Sequence, residues 1–407
     1  MKKKNSKKVR VLNITPSGDL GGRERQILSI SQSLKDNQEV QFDVFFIKAQ
    51  GPFYDASLRE GIVTMSLPSG VTNTIPYYLR VMKSYDIINY WGVNWQAYLA
   101  GILSGAIMTF SLQGARGVIR KRIKDIFFEK LFKKDSIENV KSNHKINVIS
   151  DSIWKNRLIR FLKKWLLIHS LRRCDVVIAP SQYLCDFCIS YYGLRVEQVK
   201  LIKNSVNFES IKTTKSKGSI RLELGLEPDV FLVGVAARYD ARKRLDRLIE
   251  ALGNLREYDK IKGVIYGGGD ATIKNKLDLQ VAQHKIEMKI LFPGFRDDIY
   301  NYINALDVFV LPSDSEGMGL AIVESVYLGC PTVVFQDGGG VLEVIKNRKT
   351  GYVVNDVKEL SELIISLYKN PGMSQDICKE GKTFVMENFD VQKTAKEYAD
   401  VFVKLVR

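Results

Sequence analysis

Leu311-Pro-Ser-Asp-Ser-Glu316-Gly-Met-Gly-Leu-Ala-Ile-Val-Glu324-Ser-Val-Tyr-Leu-Gly329-Cys-Pro331 is the stretch whose reading decides the fold. The apolar run at residues 307–311 reads as a buried strand. A polar turn ending in Glu316 follows, and two glycines then let backbone approach a ligand. An apolar-periodic helix carries Glu324 and stops near Gly329-Cys330-Pro331. Read as one helix, the two carboxylates eight residues apart share a face and stand roughly 12 Å apart along the axis. That spacing suits a sugar at one end and a ribose at the other. A carboxylate is a good partner for vicinal hydroxyls because it accepts two charge-assisted hydrogen bonds. The plainer reading is a surface helix with two solvated glutamates.

Outward from this stretch, 407 residues with 45% hydrophobic content predict two globular domains. No apolar run reaches the ~18 residues that cross a bilayer. The basic start, Met1-Lys-Lys-Lys, has no apolar signal region behind it, so a secretory signal is not expected. Five scattered cysteines suit reduced thiols of a cytoplasmic protein, and Cys185-x-x-Cys188, with no second pair or nearby histidine, reads as two ordinary thiols. The charge is uneven. Of a net +16, the segment from Arg116 to Arg173 contributes +12, from seventeen basic and five acidic residues. Such clustering predicts an anionic partner surface. Within it, Trp154, Leu158, Phe161, Leu162 and Trp165 fall on one helical arc and Arg157, Arg160, Lys163 and Lys164 on another. That is the pattern of an interfacial helix on an anionic membrane; a domain helix with one buried face would share it.

Strand and helix signals alternate throughout, which predicts parallel sheets wound with helices. Strands are expected at 9–14, 42–47, 62–67, 86–90, 107–111, 176–179 and 199–202. After a Lys/Ser/Thr-rich linker at 212–218, the pattern restarts at 231–236, 263–266, 290–292, 307–311 and 331–335. The expected domains are residues 1–211 and 219–390, with a last helix at 391–407. Strand ends carry glycine or charge, forming one polar ledge: Gly21-Gly22, Gln113, Asn204, Arg238 with Lys243, Gly267-Gly268-Gly269 and Phe295. Glycines before a helix suit a phosphate, because backbone N–H groups and the helix dipole face it. Arg238 and Lys243, five apart at a strand-to-helix turn, would hold a diphosphate and stabilise charge as it leaves.

Taken together, Gly21-Gly22, Ser181, Asn204, Arg238 with Lys243, Gly267 to Gly269, Gly294-Phe295, Glu316 with Glu324, and Gly338 to Gly340 with Glu343 stand in the order and at the spacing of a known family. The chain resembles the retaining glycosyltransferases of family four, with their Glu-x7-Glu motif and GT-B fold. The resemblance implies an α/β architecture of two Rossmann-like domains facing across a cleft, the last helix crossing back to the first. It implies a nucleotide-sugar donor, UDP-linked rather than GDP-linked, held by Gly21, Gly22, Asn204, Gly267, Gly268, Phe295, Glu316, Gly317, Met318, Gly319, Leu320 and Glu324. In that scheme Glu324 binds the ribose, Glu316 the sugar, Arg238 and Lys243 the diphosphate, and the base lies near Phe295. Transfer retains the anomeric configuration with no protein nucleophile, the leaving phosphate taking the acceptor's proton. No metal or other cofactor is implied, and no Asp-x-Asp or His/Cys ligand set is evident.

One departure concerns residue 113. The family often has histidine-glycine after the fifth strand, and this chain has Gln113-Gly114. Gln113 can donate a hydrogen bond but cannot titrate, so it joins Arg238, Lys243 and Glu316 as a candidate catalytic group. The function expected is transfer of a hexose-type sugar to a lipid-linked or polymeric glycan, in capsule, exopolysaccharide or O-antigen assembly, by a peripheral protein at the inner membrane face. A non-catalytic partner subunit and a nucleotide-sugar epimerase are the alternatives. A dinucleotide-dependent oxidoreductase lacks its Gly-x-Gly-x-x-Gly, and a nucleic-acid partner leaves the paired glutamates without a role.

Overall fold

The computed structural model describes residues 7–18, 21–68, 74–92, 94–113 and 164–407. Two parallel sheets organise the chain. The first contains β1 (Val9–Thr15), β2 (Val40–Phe46), β3 (Thr64–Ser66), β4 (Ile87–Tyr90), β5 (Ile107–Ser111), β6 (Val176–Ala179) and β7 (Val199–Leu201) in the order β3-β2-β1-β4-β5-β6-β7. The second contains β8 (Phe231–Ala236), β9 (Ile261–Tyr266), β10 (Ile290–Gly294), β11 (Val308–Leu311), β12 (Thr332–Phe335) and β13 (Tyr352–Val354) in the order β10-β9-β8-β11-β12-β13. Both are doubly wound. Strand order reverses beside β1 and again beside β8, and in such sheets ligands gather at the carboxyl ends next to the reversal. The edge strand β13 has no counterpart among the strands expected from sequence; three residues are too few to show a period.

Strand interiors such as Val233, Val264, Val310 and Val333 are buried, as expected of strands covered by helices on both faces. The first sheet also carries a polar seam. Asn89 donates to Asn13 Oδ1 at 2.8 Å, and Thr109 and Ser111 donate to Asn89 Oδ1 at 3.0 and 3.1 Å. Tyr398, from the last helix, closes it by donating to Ser111 Oγ at 3.2 Å. Every member is buried, so each side chain needs these bonds.

That last helix, Val391–Val406, packs on the first sheet although it follows the second in sequence. Ala395, Tyr398, Ala399 and Phe402 join Val9, Val11 and Ile27 in one cluster, and Tyr398 stacks on Trp91 with ring centroids 5.9 Å apart. The crossing begins at Val206, whose N–H donates to Phe389 O at 2.9 Å.

Residues 212–218 are fastened rather than free. Asn301 Oδ1 accepts from the backbone of Thr214 (2.7 Å) and Lys215 (3.0 Å), and Ser216 caps the helix Lys217–Glu223. Composition alone reads as a linker because the clamp, Asn301, lies far away in sequence. Residues 120–134 and most of 154–171 lie outside the described part. Residues 164–173 are helical, with Leu171 buried and Leu166 and Leu167 packed on the core, while Trp165 is 54% exposed. Among the described residues no helix is long and apolar enough to cross a membrane.

Candidate active site

The loops at the carboxyl ends of the two sheets meet, and most of the expected ledge is found there. From the first domain come three pieces. The loop after β1 ends at Gly21, the cap of helix Gly22–Ser33. Gln113 follows β5, and its Oε1 accepts from Asn204 Nδ2 at 2.7 Å. Asn204, after β7, is buried. From the second domain come the turns after β8, β9, β10 and β11.

After β8, Arg238 is exposed and, among the described residues, makes no hydrogen bond or ion pair with a side chain. Asp240 then caps a short turn, Ala241–Lys243, and engages Arg242 at 2.7 Å. Arg244 takes a left-handed φ of 47°, which turns the chain into helix Leu245–Asn254. This kink aims Lys243 at Glu316, with Nζ 2.6 Å from Oε1. Burial pushes the Glu316 carboxyl upward in pKa, but the Lys243 ammonium, with smaller help from Ser313 and the Arg242 charge, more than offsets it, leaving the group below its usual value of 4.5.

Glu316 is fixed through its backbone as well. Its N–H donates to Gly338 O at 2.8 Å, and its carbonyl accepts from Gly340 N at 2.9 Å. It therefore lies in a loop, not on the helix of Glu324, which spans only Leu320–Tyr327. The single-helix geometry is thus corrected: Gly319, at φ 78°, caps the helix after Glu316, so the two carboxylates are aimed separately. Between them, Gly317 meets the first domain so closely that a Cβ there would lie 2.7 Å from Gln113 O. Leu320 approaches Gly22, whose added Cβ would lie 3.9 Å from it. Met318 turns its side chain into the second core, so only its backbone faces the seam.

Glu324 is 4% exposed. Its Oε1 accepts from Tyr300 OH at 3.1 Å and pairs with Arg25 Nη1 at 3.3 Å. Burial and the neighbouring carboxylate both push the Tyr300 hydroxyl up, so it stays a donor. Neither partner was expected from sequence. Arg25 had a faint signal, standing three residues beyond Gly22 on the helix the glycines open; Tyr300 had none. Gly267 and Gly268 lie in the turn after β9, where Gly267 N donates to Gly294 O (2.9 Å) and Gly268 O accepts from Tyr239 N (2.8 Å). Phe295 follows β10 and is 62% exposed, a large ring with little cover. Farther along the seam, Glu343 Oε1 accepts from Tyr183 N at 3.0 Å, capping helix Gln182–Ser190 of the opposite domain.

The cysteines take no part. Cys174, Cys185, Cys188 and Cys330 are buried free thiols, and burial pushes all four upward, away from the reactive thiolate. Chemically, the seam offers an exposed cation at Arg238, a cation–carboxylate pair at Lys243–Glu316, a buried carboxylate at Glu324 and an exposed ring at Phe295.

The chain is similar to known proteins in sequence and in structure. Residues 216–384 match the family described as glycosyl transferases, group 1. The UDP-Gal:alpha-D-GlcNAc-diphosphoundecaprenol alpha-1,3-galactosyltransferase of Escherichia coli is 24% identical over 269 residues, 65% of this chain and 69% of that protein. The O-antigen biosynthesis glycosyltransferase WclY of Escherichia coli is 27% identical over 217 residues, covering 53% of this chain and 59% of the relative. Several of the curated relatives align over only about half to two thirds of their length. In structure, HepE from Anabaena with UDP-glucose superposes with a TM-score of 0.76 at 20% identity, over 97% of this chain and 99% of the other. The fold is GT-B, and family match, relatives and fold together support the GT-B glycosyltransferase superfamily.

Proposed function

We propose that this chain, a GT-B protein of the glycosyltransferase superfamily, is a retaining enzyme of family four. It moves a hexose-type sugar from a nucleotide diphosphate sugar to a lipid-linked or polymeric glycan in surface-polysaccharide assembly. One observation carries the reading: at the seam between the domains, buried Glu324 and half-buried Glu316 are each held by a cation. The name of the Escherichia coli galactosyltransferase, with its UDP-linked donor and diphosphoundecaprenol acceptor, favours a UDP-linked donor and a lipid-linked acceptor here.

In this reading Glu324 accepts from the ribose diol and Phe295 flanks the base. Arg238, exposed, takes the diphosphate. Lys243 has three donors, so it keeps Glu316 and adds a phosphate oxygen. Glu316 orients the sugar, and Gln113, its carbonyl taken by Asn204, turns its amide N–H toward the reacting ring. Gly21, Gly22, Gly267 and Gly268 line the approach. The diphosphate leaves as its charge is neutralised by Arg238 and Lys243, in place of a metal, and it takes the acceptor's proton on the same face. The protein supplies orientation and leaving-group stabilisation.

We place the acceptor at a membrane on two grounds: the positive charge between Arg116 and Arg173, and an apolar stripe on the helix Trp95–Ser104. Trp95, Leu99 and Leu103, at spacings of four, are all exposed on one face. Tyr98 of the same helix donates to His169 O at 3.4 Å, so the stripe adjoins the helix that carries exposed Trp165.

Metal-free calorimetry with UDP, GDP and ADP on the wild type and on Glu324→Gln tests the donor site. One nucleotide is expected to bind, and the variant to lose at least tenfold, about 1.4 kcal/mol. No binding of any of the three to the wild type would sink the proposal.

A further inference from the structure

Arg25 joins the two halves of the site. It lies on helix Gly22–Ser33 of the first domain, yet its guanidinium reaches Glu324 on the second, with Nη1 3.3 Å from Oε1. Among the described residues this is the only ion pair between the domains carrying the two sheets. Glu324 is 4% exposed, and a buried carboxylate is costly unless a cation and hydrogen bonds compensate it. Tyr300, the other group on Glu324, is a neutral donor. Among the described residues Arg25 therefore supplies the only positive charge in contact with this carboxylate. Both partners sit on Oε1, and among the described residues Oε2 has none.

We propose that Arg25 is a positioning residue for the donor. It holds Glu324 turned so that Oε2 is presented to the ribose hydroxyls. Because the contact crosses between domains, donor binding and the closed arrangement favour each other: separating the domains strips Glu324 of its cation and weakens its hold on the ribose. The coupling is reciprocal, as linkage requires. This rests on the donor site proposed above.

The test measures calorimetric affinities of UDP and 2′-deoxy-UDP for the wild type, Arg25→Gln and Arg25→Lys; if GDP or ADP is the nucleotide bound, it and its 2′-deoxy form replace them. Arg25→Gln is expected to weaken the ribonucleotide about tenfold and to shrink its advantage over the 2′-deoxy form toward unity. Arg25→Lys should keep much of that advantage. In small-angle scattering, nucleotide should compact the wild type but not Arg25→Gln. A loss in Arg25→Gln equal for both nucleotides, or no loss, overturns the positioning role while leaving the donor site standing. Failure of the wild type to bind any of the three nucleotides removes the donor site, and this proposal with it.

Discussion

Lys243 and Glu316 lie 2.6 Å apart, their side chains 21% and 15% exposed, so each is the other's main compensation for burial. The folded Glu316 carboxyl is held below its ordinary 4.5. The stability it contributes is therefore fully present above that value and fades as pH falls through the lower folded pKa. Lys243→Met removes the main opposition to burial, leaving only Ser313 and the Arg242 charge against it, and so moves the carboxyl upward. The variant is expected to lose about 2–3 kcal/mol at pH 7, somewhat under the ~3–5 of a fully enclosed pair. The deficit should shrink as the pH approaches 4, where Glu316 can protonate. Urea unfolding at pH 7 and pH 4 checks this; a deficit that does not change with pH would mean that the ion pair is not its source. Beside this pair, the exposed Arg238 side chain makes no hydrogen bond or ion pair with a side chain among the described residues, so Arg238→Ala should leave the unfolding midpoint nearly unchanged while weakening nucleotide diphosphate binding more than nucleoside binding. Equal losses for both would remove it from the diphosphate site.

At the scale of elements, the strands were the most legible feature of the sequence, because buried parallel strands are short apolar runs ended by glycine or charge. Residues 107–111, 176–179 and 231–236 were bounded correctly on that signal alone. The ledge was legible for the same reason: Arg238, Gly267, Phe295 and Glu316 each follow a strand. What could not be read were contacts between distant segments. Arg25 on Glu324, Asn301 on the chain at 214–215, and Tyr398 in the polar seam depend on packing that no local pattern encodes. The Asn301 clamp makes a local prediction. Asn301→Ala removes the acceptor for two backbone N–H groups, so hydrogen exchange at Thr214 and Lys215 should accelerate. Unaltered exchange there would show that other groups protect these amides. The exposed stripe of Trp95, Leu99 and Leu103 makes another. Changing all three to serine should lower binding to anionic phosphatidylglycerol vesicles without altering UDP binding; undiminished vesicle binding would show that this face does not meet the bilayer.

Over the whole molecule, the two sheets share one winding pattern and present their carboxyl ends to a common seam, so the site belongs to neither half alone. The helix Val391–Val406 binds the halves in a second way, by filling the first core from the far end of the chain. Phe402 is fully buried, 6.3 Å from Phe42. Phe402→Ala should cost about 3–5 kcal/mol, felt by the first domain before the second; near-ultraviolet signals from Trp91 should melt earlier than the second domain unfolds. The same crossing sets an order of events during synthesis. Residues 391–406 leave the ribosome after the entire second domain, so for most of translation Val9, Val11 and Phe42 lack the part of their cover that Ala395, Tyr398, Ala399 and Phe402 supply. The nascent chain must shelter that face until the last helix emerges, and the half made first is the half completed last.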